Sequence, residues 1–119
     1  MKKLMTLCLL GASLLTGTAQ NSVSKTWVSD LGNGTYKNPV LYADYSDPDI
    51  CRVGDDYYMT ASSFNCLPGL PILHSKDLVN WTIIGHAVAS SLAPHSNTRP
   101  QHGNHIWAPC IRHHNGEFY

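Results

Sequence analysis

From Asn38 onward the chain alternates short apolar runs with turn residues about every ten positions, a texture that suggests an all-β fold. Residues 50–53 make one strand candidate, and Gly54-Asp55-Asp56 supplies turn chemistry. Residues 57–62 follow, with aromatic side chains suited to a pleated surface. Residues 71–74 make a third strand, Ser75-Lys76-Asp77 breaks it, and residues 81–88 make a fourth. Short strands joined by tight turns build an antiparallel meander. Residues 89–104 are rich in Ser, Pro, His and Asn and read as a long loop. Residues 106–112 and 117–119 then open a new strand pair.

That new pair echoes the first. Arg52 leads through a turn to Tyr57-Tyr58, and Arg112 leads through Asn115-Gly116 to Phe118-Tyr119. A proline, Pro48 or Pro109, stands ahead of each arginine. A repeat of about 50 residues built from four strands is the signature of a propeller blade. Chance similarity of two hairpins is the competing reading. About one and a half blades would be present, and repeat units bury their faces only against neighbours. On this reading the propeller is truncated at Tyr119.

The first 19 residues carry a different signal. Lys2 and Lys3 precede an apolar stretch at 4–15, and Gly17-Thr18-Ala19 offers small residues for cleavage. This is the pattern of a signal peptide, with an apolar run too short to span a membrane. The chain is therefore expected to be exported, to the periplasm or the extracellular space, with residues 20–37 as a polar leader. Cys8 lacks the small residues before it that a lipoprotein anchor would need. Removal of residues 1–19 leaves Cys51, Cys66 and Cys110, an odd number, each beside an apolar residue. They read as buried free thiols without metal-ligand spacing. The net formal charge of zero provides no basic field for nucleic acid, and a neutral substrate fits it better than a phosphate.

Among the carboxylates, Asp55, Asp56 and Asp77 fall in turns, Asp30 falls in the leader, and Glu117 follows a hairpin turn. Asp44, Asp47 and Asp49 remain, clustered before an apolar strand. Pro48 pushes Asp47 towards an extended conformation, in which Asp47 and Asp49 would point the same way. A carboxylate at the start of a blade's inner strand would lie near the central channel. A solvated turn at the strand start is the alternative, and the residues by themselves leave both open.

Three stretches, in order, carry a resemblance. The first runs from Asn38 through Asp44-Tyr45-Ser46-Asp47-Pro48-Asp49-Ile50 to Tyr58. The second runs from Ala61-Ser62-Ser63-Phe64 through His74-Ser75-Lys76-Asp77 to Trp81. The third is Ile106-Trp107-Ala108-Pro109-Cys110-Ile111-Arg112, followed by Asn115-Gly116-Glu117-Phe118-Tyr119. Together they resemble glycoside hydrolase family 43, in its β-xylosidase-like branch, over most of residues 38–119.

The resemblance implies a five-bladed β-propeller and an inverting hydrolase of xylosides or arabinofuranosides of plant hemicellulose. Its partners would be xylan- or arabinan-derived oligosaccharides. By motif position Asp47 matches the general base, Phe64 matches an aromatic lining the sugar pocket, and Trp107 matches a residue near the same channel. For both aromatics, blade packing is the alternative role. Asp49 stands where the family often has serine; it is expected at the substrate, and would raise a neighbour's pKa if both were buried. Asn65-Cys66 departs from an acidic–aromatic pair common in xylosidase relatives, which leaves the sugar open. The acid and the carboxylate that tunes it would fall beyond Tyr119. No cofactor is implied. Some relatives hold calcium in the channel, but no ligand set can be named here. His102 and His105 are set either against substrate or on the loop surface. A non-catalytic carbohydrate-binding propeller and an inactive fragment are the alternatives to an enzyme.

Overall fold

The computed structural model describes residues 26–65, 67–88 and 102–119. The signal peptide expected at 1–19, Cys66 and most of the loop expected at 89–104 lie outside the described residues.

The meander forms as its turn chemistry dictates. Strands β1 (Asp49–Val53), β2 (Asp56–Thr60), β3 (Gly69–Ser75) and β4 (Thr82–Val88) make one antiparallel sheet in that order. Gly54, at φ 61°, opens the two-residue turn between β1 and β2 and supplies the positive φ that a tight hairpin requires. A second hairpin pairs β5 (His113–His114) with β6 (Glu117–Phe118). Its turn residues Asn115 and Gly116 both have positive φ, the type I′ geometry that Asn-Gly favours. Among the described residues no helix is long and apolar enough to cross a membrane.

Strand register sorts the side chains onto two faces. Ile50, Met59, Leu73 and Ile83 pair across the sheet on one face. Met59 and Leu73 are buried there, while Ile50 and Ile83 stay exposed. Residues 40–48 run along this face and leave a hollow of about 380 Å³ bounded by Leu41, Tyr45, Ile50, Met59 and Trp81. Cys51, Tyr58 and His74 share the other face. Phe118 of the second hairpin packs edge-on against Tyr58 there, with ring centroids 4.7 Å apart. The second hairpin thus packs on this face of the first sheet.

Two expectations are corrected, for the strand at 106–112 and for the thiols. Residues 106–112 do not form a continuous strand: Ile106 bridges to Ser63, and only at the far end does Arg112 exchange backbone hydrogen bonds with Tyr119, as the expected pair would. Ala108 has φ 40°, Pro109 has no N–H, and the Ile111 N–H is taken by a side chain, so no ladder can run through 108–111 between those two pairings. The described part of the leader is tied to the sheet region. Asp30 bridges to Tyr36, and Asn80 Nδ2 donates to Asp30 Oδ2 at 2.8 Å. Asn80, then the Gly32 N–H, holds the Asp30 carboxyl below its ordinary pKa. Of the thiols, Cys51 is half-buried and Cys110 is exposed, both free. Burial pushes the Cys51 thiol up, whereas the irregular backbone beside Pro109 leaves Cys110 at the surface.

Candidate active site

The turn before β1 carries Asp47, and its backbone differs from expectation. Asp47 is not extended but has φ 49°, a region that most side chains avoid and aspartate tolerates. Two contacts hold it there. The Ser62 N–H donates to Ser46 O at 3.0 Å, and Ser62 Oγ donates to Asp47 Oδ2 at 2.8 Å. Ser62 lies two residues beyond the end of β2, so the chain leaving that strand fixes the turn that precedes β1. Among the described residues Asp47 Oδ1 takes no hydrogen bond, and the residue is exposed.

The segment after the loop docks on the same serine pair. Ser63 and Ile106 exchange backbone hydrogen bonds at 2.9 Å, and the Ala108 N–H donates to Ser62 Oγ at 2.7 Å. This brings Trp107 beside Phe64, edge-on at 4.7 Å between ring centroids. Trp107 Nε1 donates to Gly103 O at 2.8 Å, and the Gly103 N–H donates to Asn65 Oδ1 at 2.9 Å. The indole is thus pinned at its edge while 63% of the residue remains exposed. Asn65, the departure that left the sugar open, holds the loop under this ring. Asp47, Phe64 and Trp107 therefore belong to one connected group.

Asp49 belongs to a neighbouring one. Its Oδ2 accepts the Ile111 N–H at 2.7 Å and pairs with Arg112 Nη1. The Ile111 N–H first, and Arg112 after it, hold the Asp49 carboxyl below its ordinary pKa. The positive φ at Asp47 breaks the strand alternation that would have aligned the two aspartates, and their carboxyls engage different partners. Asp47 is exposed, so the mutual burial that would raise a neighbour's pKa is absent. Asp49 joins β1 to the segment that carries Trp107.

The remaining carboxylates are committed elsewhere. Asp56 pairs with Lys76 and His74, and those partners, Lys76 first, hold it below its ordinary pKa. Asp77 is held low by Asn80, and Glu117 accepts from Tyr119 Oη. Asp55 faces Arg52 at 3.5 Å, and Asp44 accepts from Ser46 Oγ. His102 is exposed; the His105 N–H donates to Phe64 O, and its buried ring nitrogens have no partner among the described residues. Among the described residues no cluster of three His, Cys, Asp or Glu side chains could hold a metal ion. Sequence reasoning gave Ser62 no role, because its partners lie 15 and 46 residues away. Its place two residues before Phe64, in a motif already singled out, was the available signal.

A carboxylate with one oxygen fixed and one free can take a proton from a water molecule. The Trp107 and Phe64 rings beside it offer apolar faces to a sugar.

Residues 36–119 match the profile of glycosyl hydrolases family 43. A β-xylosidase from Formosa agariphila is 50% identical over 93 residues, which cover 76% of this chain and 16% of the relative. A non-reducing end α-L-arabinofuranosidase from Bacteroides ovatus is 43% identical over 100 residues, covering 78% of this chain and 18% of the relative. The crystal structure of a GH43 protein from Bacillus licheniformis superposes with a TM-score of 0.63 at 47% identity, over 70% of this chain and 16% of that one. The chain thus spans about a sixth of the length of these relatives.

Proposed function

The chain belongs to glycosyl hydrolases family 43, and from that premise we propose that it carries the general base of an exported, inverting glycosidase. The substrates are xylosides or arabinofuranosides, the sugars in the names of two of its relatives, as they occur in plant hemicellulose. The meander and the second hairpin are the first one and a half blades of a five-bladed propeller.

The observation that carries this reading is the linkage of Asp47, through Ser62 and Ala108, to the Trp107–Phe64 pair. Asp47 accepts the proton of a water attacking the anomeric carbon, at its free oxygen. In an inverting site the two carboxyl groups stand about 6.5–9.5 Å apart, leaving room for that water between base and acid. Trp107 and Phe64 bound the sugar on its apolar side. The general acid comes from elsewhere in the complete protein, since the other described carboxylates serve turns and ion pairs.

The test is release of xylose or arabinose from aryl glycosides by the complete gene product, with the product anomer read by proton NMR. Asp47→Ala is expected to lower kcat by about 10²–10⁴-fold. An unchanged rate, or retention of anomeric configuration, would refute the assignment. Sugar binding without turnover by the unmodified protein would indicate a binding propeller instead.

A further inference from the structure

Ser62 makes one hydroxyl serve two segments. Its Oγ accepts the Ala108 N–H at 2.7 Å and donates to Asp47 Oδ2 at 2.8 Å. A serine hydroxyl has a single proton, and acceptance of the Ala108 amide turns a lone pair towards that segment. The proton is thereby directed at the carboxylate. Both residues it ties have positive φ, Asp47 at 49° and Ala108 at 40°. Such conformations cost free energy and persist where surrounding contacts over-determine them.

We propose that Ser62 is the positioning residue of the catalytic carboxylate, clamping Oδ2 of Asp47 so that Oδ1 faces the reacting water and coupling that carboxylate to the Trp107 segment. The proposal rests on the reading of Asp47 as the base. Ser62 never meets the sugar; it sets the direction in which Asp47 takes its proton. Asp44, Tyr45, Asp49, His105, Cys110 and Arg112 are the titratable groups on the flanking segments. Asp44 is engaged by Ser46 Oγ and Asp49 by Ile111 and Arg112, so among the described residues Ser62 is the side chain that hydrogen-bonds Asp47.

The experiment compares Ser62→Ala, Ser62→Thr and Asp47→Ala in the complete gene product, on an aryl glycoside. Ser62→Ala is expected to lower kcat about ten- to a hundredfold, with KM changed less than about twofold, because a misdirected base loses rate rather than binding. Ser62→Thr keeps the hydroxyl and is expected to restore the rate. Where Ser62→Ala does not fold, Ser62→Cys keeps the volume with a weaker donor and is expected to lower kcat in the same way, again with KM nearly unchanged. An Ala (or Cys) variant with kcat within about threefold of the parent, or a Thr variant that fails to restore it, overturns the proposal. If Asp47→Ala abolishes turnover in that case, only the role of Ser62 has failed. If Asp47→Ala retains turnover, the assignment of the base has failed.

Discussion

Replacing Asp49 by alanine tests how the second hairpin is held to the first. Asp49 Oδ2 accepts the Ile111 N–H at 2.7 Å, and Ile111 is 5% exposed. In the variant that amide has neither a carboxylate nor ready access to water. A hydrogen bond to a charged acceptor contributes about 1.5–3 kcal/mol, and an orphaned buried donor costs about 1–3 kcal/mol. These describe one loss rather than two, so the expected local destabilisation is about 2 kcal/mol. The Arg112 side chain is 62% exposed, so its ion pair with Asp49 is screened and matters less. Hydrogen exchange of the Ile111 amide in the complete protein reads this directly. A loss of about 2 kcal/mol corresponds to roughly thirtyfold faster exchange at neutral pH. Arg112→Ala is expected to change it by less than about threefold. The pH dependence has a fixed sign. The folded Asp49 pKa is lowered, so its contribution is fully present above the unfolded value of about 3.9 and is lost as pH falls through the folded value. Ile111 protection should therefore stay constant down to about pH 5 and decline below about pH 4. Exchange in Asp49→Ala within about threefold of the parent, or an equal effect from Arg112→Ala, would refute the reasoning.

Other consequences can be measured as readily. Truncating Phe64 and Trp107 singly should raise KM, and the double mutant should show a coupling of about 0.5–1.5 kcal/mol from their edge-on contact; strict additivity would count against a shared pocket wall. Ser75→Ala should cost about 1–3 kcal/mol in thermal or denaturant unfolding. The reason is that Ser75, 2% exposed, accepts the Asp77 and Leu78 N–H groups and donates to the Asp77 carboxylate. The 119-residue polypeptide alone should bind a hydrophobic dye and show no cooperative thermal transition. Among the described residues its buried apolar side chains are Met59, Ala61, Leu73 and Ile111, while Ile50, Ile83, Ile84 and Phe118 stay exposed. A sharp transition in a soluble monomer would contradict that.

The strands of the meander were legible because hairpins are local. Gly54 and Asn115-Gly116 specify their turns within a few residues, and period-two alternation sets the faces between them. The expectation of a strand at 106–112 failed because its apolar composition concealed two non-local facts. Ala108 turns left-handed to reach Ser62, and the Ile111 N–H is claimed by Asp49, 62 residues earlier. The extended reading of Asp47 failed for a related reason: a preference set by the next proline was outweighed by hydrogen bonds from the far end of β2.

The motif order in residues 38–119 by itself determined the family, and with it which aspartate and which aromatics to watch. It could not show what holds either aspartate, since the partners of two carboxylates two residues apart are not written beside them. Tertiary structure decided that: Ser62 reaches Asp47 beside the aromatic pair, while Ile111 and Arg112 engage Asp49 at the seam. A side chain's chemistry is local, but its hydrogen-bond partners are set by how distant segments pack.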